Sequence, residues 1–119
     1  MKRLIVTYKP YSVVTVPFPF TDKAQTKRRP AIVLSSPHHQ EETHHITLLM
    51  ITSAKNSAWD SDYPLKDLEN AGLPVPSIVR QKIFTLDIGL VIDTIGKLST
   101  ADKAAIIKLL HKNLSLYNG

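Results

Sequence analysis

The chain has 119 residues, 43% of them hydrophobic, and no cysteine: enough for one domain with one core, with disulfides, cysteine zinc sites and thiol catalysis excluded. A net charge of +5 and a pI near 9.6 favour polyanionic partners such as RNA, DNA or an acidic protein, without choosing among them. No apolar run approaches the ~20 residues of a membrane span, and the run in the basic start MKRLIVTYKPY is too short for a secretory signal, so one domain over residues 1–119 with no membrane partner is expected, compatible with a reducing cytoplasm.

Leu4 to Tyr8 suits an extra edge strand or an ordered arm. Val13-Val14-Thr15-Val16 predicts a strand, because β-branched side chains fit a pleated surface and lose little rotamer freedom there. Pro17 and Pro19 each lack an N–H, so the chain there is not a central strand. Thr21-Asp22 opens a polar loop. Lys27-Arg28-Arg29-Pro30 then brings three cations to the mouth of a second strand, Ala31 to Leu34. Pro30 restrains Arg29 to an extended backbone. A guanidinium held in this way receives phosphate well, since its planar fork binds two oxygens at once. Taken alone, the basic triplet reads more plainly as a solvated loop.

Pro37 to His45 (PHHQEETHH) reads as a polar hairpin loop. Its two histidine pairs and two glutamates are potential zinc or nickel ligands, but neighbours on a strand point to opposite faces, so each pair would offer one ligand and no metal is expected. Ile46 to Ile51 is a continuous apolar run, consistent with a buried central strand ending at Thr52-Ser53. Lys55 to Asp62 is polar and turn-like. Its Trp59 is expected to plug a barrel end, with base stacking as the second reading. Tyr63-Pro64-Leu65 suits a short edge strand, Asp67 to Ala71 one helical turn, and Gly72 its stop.

Ile78-Val79 predicts a strand that Arg80 leaves towards the opposite face, and Lys82 to Leu86 another strand. Ser99-Thr100-Ala101-Asp102 looks like a helix start, with a serine N-cap and an acid in the positive first turn. Ile106, Leu109, Leu110 and Leu114 recur at helical spacing. Each contributes roughly 1.5–3 kcal/mol if buried, enough to lock the helix onto a sheet.

Several of these stretches together resemble the MazF/PemK family of toxins, the ribonuclease halves of toxin–antitoxin pairs. Pro17-Phe18-Pro19-Phe20-Thr21-Asp22 and Lys27-Arg28-Arg29-Pro30 stand in that family's order and separation. Ala71-Gly72-Leu73, the run from Pro76 to Arg80 and Ile95-Gly96-Lys97-Leu98 match later elements, so the resemblance covers about residues 11 to 112. It implies the SH3-like barrel of MazF, PemK and CcdB, mostly β with one amphipathic C-terminal helix. The count of five or more short strands before one helix agrees. It also implies a homodimer with single-stranded RNA across its groove, a cognate antitoxin and no cofactor.

Site residues follow from the same matches. The resemblance implies Arg29 of the R-P motif and Thr52 as the catalytic pair, and Lys27, Arg28, Ser53 and Arg80 as RNA-binding. Two departures stand out. Tyr11-Ser12 replaces the Gly-Asp common before the first strand. Lys82 stands where some members carry an aspartate with an acid–base role, so that role is not transferred.

Metal-free RNA cleavage needs a base for the 2′-hydroxyl, cations for the charge growing on phosphorus, and an acid for the departing 5′-oxygen. Arg29 suits the cationic role and cannot be an ordinary base, because it stays protonated. Thr52 can orient an oxygen by hydrogen bonding, and Arg80 can assist the charge or the leaving group. Glu41, Glu42 and His44 are the candidates for the base. Two other readings compete: a contact-only toxin like CcdB, and a nucleic-acid- or antitoxin-binding regulator on the same fold.

Overall fold

The computed structural model describes residues 5–18, 27–55 and 59–116. The expected Pro19–Asp22 turn and polar loop lie outside them. Six strands form one antiparallel sheet, β1 (Ser12–Phe18), β2 (Lys27–Val33), β3 (His45–Ser53), β4 (Tyr63–Pro64), β5 (Ser77–Asp87) and β6 (Asp93–Lys97), in the order β4-β5-β3-β2-β1-β6. Three α-helices accompany it: α1 (Pro37–Thr43), α2 (Leu68–Ala71) and α3 (Thr100–Asn113). The sheet curls into a half-barrel, and no ladder joins β4 to β6 among the described residues.

Alternation along the strands divides the apolar side chains between two faces. Val13, Ile32, Leu49, Ile51 and Val79 pack with Leu98 and Ile106, under α3. Val14, Val16, Ala31, Val33, Ile46, Leu48 and Leu86 form the core of the other face. The continuous run at Ile46 to Ile51 is thus apolar because β3 is buried on both faces.

Pro17 and Pro30 both lie within strands, each where one flank of its strand is unpaired among the described residues, so Pro17 is not in a central stretch of the sheet, as expected. Pro17 is paired with Arg28, but the ladder from β1 to β6 ends at Thr15, so that flank of Pro17 requires no N–H donor. Pro30 likewise lies one residue outside the β2–β3 ladder, which begins at Ala31. The basic triplet is therefore part of β2 and not a loop at its mouth. β5 is one strand where two were expected. Leu49 pairs with Ile83 and Met50 with Arg80, so Gln81 and Lys82 bulge out and bend the strand.

The segment expected to be a hairpin loop is α1. Ser36 caps it by accepting from the His39 amide, Pro37 follows where no intrahelical donor is needed, and His44 ends it in the left-handed region. Its buried Gln40 clamps residue 8: Oε1 accepts from the Tyr8 amide at 2.8 Å, and Nε2 donates to the Tyr8 carbonyl at 2.9 Å. The described part of the first segment, from Ile5, is thus an ordered arm and not an edge strand.

Gly72 ends α2 at φ +75°, and a Cβ there would collide with the Ile95 backbone. A Cβ on Gly96 would in turn strike the Ala71 and Asn70 backbone. These two glycines let α2 rest directly on β6. Ser99 caps α3 as expected, accepting from the Asp102 amide at 3.1 Å.

Candidate nucleic-acid interface

The ends of β2 and β3 carry the residues singled out first. Ala31 faces Met50, Ile32 faces Leu49 and Val33 faces Leu48. Carried on by two residues, this register brings Arg29 beside Thr52, and both line a cleft of about 210 Å³ with Ser53, Ser77, Leu73 and Val75. Thr52 is buried at 5% exposure, one residue before the end of β3. Arg29 is half-buried, with its guanidinium carbon 5.7 Å from the Phe18 ring centroid. That aromatic contact and the extended backbone restrain the guanidinium.

Alternation separates the basic triplet. Lys27 and Arg29 share one face of β2 and Arg28 points to the other, although Arg28 also contributes to the cleft rim. The Ser53 hydroxyl accepts from the Lys55 amide at 3.2 Å, closing the turn that follows β3.

Arg80 stands across β3 from this cleft, opposite Met50. Its side chain is buried against Asp62: Nε donates to Oδ1 at 3.2 Å and Nη2 to Oδ2 at 2.9 Å. No carboxylate adjoins Arg80 in sequence, but Asp62 supplies one in space. Arg80's hydrogen bond is the main cause holding the Asp62 carboxyl below its usual range, against burial and with help from the Trp59 amide. The same fork raises the pKa of Arg80.

Trp59 is 45% exposed and does not plug a barrel end. The Arg80 guanidinium lies 5.1 Å from its ring and the Lys82 ammonium 5.4 Å. Beside it, Phe18, Met50, Lys82 and Phe84 line an apolar hollow of about 230 Å³. A larger hollow, about 410 Å³, lies between the arm and the Ile88–Leu90 turn, and its lining includes His44 but none of these cations.

His44, Glu41 and Glu42 lie at the wrong end of the sheet for the proposed base. His44 precedes β3 and Thr52 is next to its last residue, so a rise of ~3.3 Å per residue separates His45 from Thr52 by roughly 23 Å. Among the described residues no three His, Asp or Glu side chains cluster as metal ligands, and no helix is long and apolar enough to cross a membrane.

A curled antiparallel half-barrel with a C-terminal helix is a fold found among solved small β-barrel toxins. The sequence profile of the PemK-like, MazF-like toxins of type II toxin–antitoxin systems matches residues 9–114, and the chain belongs to that family. Solved structures share the fold. MazF of Deinococcus radiodurans superposes with a TM-score of 0.69 at 20% identity, over 91% of this chain and 96% of that one. A MazE–MazF complex of the same organism gives 0.71 at 19% identity, over 95% and 100%. An endoribonuclease with its cognate antitoxin from a mycobacterial species gives 0.69 at 15% identity, over 94% and 97%. No curated protein matches the sequence significantly.

Proposed function

We propose that this toxin is a sequence-specific, metal-independent endoribonuclease, an mRNA interferase acting on single-stranded RNA in the cytoplasm. The observation that carries the reading is the meeting of Arg29 and Thr52 in one cleft. The 2′-hydroxyl attacks the adjacent phosphorus and the P–O5′ bond breaks. A 2′,3′-cyclic phosphate and a 5′-hydroxyl remain. Arg29 binds two non-bridging oxygens as charge builds on them. Thr52 orients an oxygen by hydrogen bonding. Lys27, Arg28 and Ser53 flank the path of the strand, and Arg80 with Trp59 lies further along it. No side chain of this chain is assigned as the base.

The partners proposed are a cognate antitoxin and a second copy of the chain, with RNA across the groove between copies. Support for the antitoxin comes from the relatives solved with theirs. The distance of Glu41, Glu42 and His44 from the cleft favours the runner-up, a contact-only toxin. Incubation of the purified protein with a long RNA, with and without EDTA, separates the two. Cleavage to cyclic-phosphate ends in both arms supports the ribonuclease. Intact RNA supports the binding protein.

A further inference from the structure

Asp62 does two things at once. It grips Arg80 with both oxygens, and its Oδ2 accepts from the Trp59 amide at 2.8 Å while its own amide donates to the Trp59 carbonyl at 3.0 Å. The turn from Trp59 to Asp62 is thereby closed by backbone and side chain together. Its indole is then set against the guanidinium that the same carboxylate orients. Lys82, pushed out by the bulge of β5, completes the stack. The Asp62 side chain is 5% exposed and that of Arg80 9%. Such a pair is costly to bury and is a weak source of net stability. Its more direct effect is geometric, since it fixes one cation and one exposed aromatic ring side by side near the Arg29–Thr52 cleft.

We propose that Asp62 is a positioning residue for the RNA strand: a latch that holds Arg80 and Trp59 as one rigid wall beside the cleft, with Lys82 as the charge of that wall that Asp62 does not balance. The proposal rests on the ribonuclease reading for its kinetic part only. Asp62 is a poor candidate for the missing base, because its side chain is only 5% exposed and is engaged by Arg80 and Trp59. The wall meets the strand with an aromatic face and fixed donors, and it aligns the phosphate at Arg29 without adding Arg80's charge to the attraction.

Opposite effects on binding and cleavage test this. Asp62→Asn removes the balancing charge, so binding of a 2′-O-methylated RNA oligomer, which lacks the attacking hydroxyl, should show a salt slope steeper by about 0.7. Single-turnover cleavage of unmodified RNA at saturating enzyme should nevertheless fall by roughly tenfold or more, because the wall is no longer aligned. Trp59 is the one tryptophan of the chain, so its fluorescence reports the latch directly, and acrylamide should quench it more strongly in the variant. Asp62→Glu should recover part of the cleavage. Arg80→Lys breaks the same fork but keeps every charge, and covers the case in which Asp62→Asn fails to fold. It should raise quenching and lower cleavage with the salt slope unchanged. Parent quenching in both variants would overturn the latch, as would lost cleavage with quenching and slope at parent values. Changed quenching and slope in a protein that cleaves no RNA would uphold the latch and reject the ribonuclease reading.

Discussion

The Tyr63 hydroxyl donates to Asp102 Oδ1 at 2.7 Å, joining the residue after Asp62 to the first turn of the last helix. Asp102 is fully buried and also accepts from the Lys66 and Asp67 amides at 3.0–3.2 Å. A residue expected only to sit in a helix's positive first turn thus anchors the segment that carries Trp59 and Asp62.

Asp102→Ala should therefore destabilise the fold by roughly 3–5 kcal/mol, because a hydroxyl and two amides lose their acceptor. Urea unfolding at neutral pH measures it, and a loss below about 1 kcal/mol would contradict the anchoring role.

The same anchor makes stability depend on pH at both ends. Burial pushes the Asp102 carboxyl up, but hydrogen bonds from Tyr63, Asp67, Lys66 and Ser99 outweigh it and the net pKa falls below the ordinary 3.8. A carboxylate lowered in the fold stabilises it above the unfolded value, and that contribution is lost as pH falls through the folded one. Asp62 adds to it in the same direction. Burial, then the bond to Asp102, pushes Tyr63 up to about 12. Its contribution is complete below the unfolded value of 10.0 and is lost as pH rises from there towards 12. Melting temperature against pH should fall below about pH 4 and above about pH 10. Asp102→Asn should flatten the acid limb.

Arg29→Ala should abolish toxicity and slow RNA cleavage by ~10²–10³, with the fold intact, because the half-buried side chain lies outside both apolar clusters. Arg29→Lys should not recover the rate, since an ammonium cannot make the two-pronged contact. Single-turnover cleavage at matched thermal stability decides it. Parent rates in Arg29→Ala would favour the contact-only toxin.

Thr52→Ala should cost less rate than Arg29→Ala, because a neutral hydroxyl holds an oxygen more weakly than a guanidinium. Thr52 is buried in β3, so the variant should also melt earlier. Thr52→Ser separates the two effects: it keeps the hydroxyl and should keep most of the rate while losing some stability.

RNA binding should weaken with salt at a slope near −2.1 per subunit, from Lys27 and Arg29 on one face of β2 and from Lys82 beside Trp59, at about −0.7 per phosphate contact on single strands. Arg28, on the other face, and the latched Arg80 should add little. A fluorescence titration from low to high salt checks this, and a flat response would remove these cations from the RNA path.

Local pattern carries far in this chain. β-branched alternation marks β1, the doubly buried β3 shows as an unbroken apolar run, Ser99 announces α3, and Gly72 its turn, because each depends on residues a few positions apart. The family was legible from the proline and arginine motifs; the expectation that Arg29 and Thr52 act together came with it, and the two residues line one cleft. Tertiary structure decided the rest. Pro17 fits within β1 only because β6 stops short of it. Trp59 is 45% exposed with two cations against its ring, and the carboxylate of Arg80 comes from 18 residues upstream. Gln40 clamps an arm 32 residues away, and Asp102 a tyrosine 39 away. Such contacts join side chains whose separation along the chain has no period, so only the packing of arm, turns and helices on the folded sheet can select them.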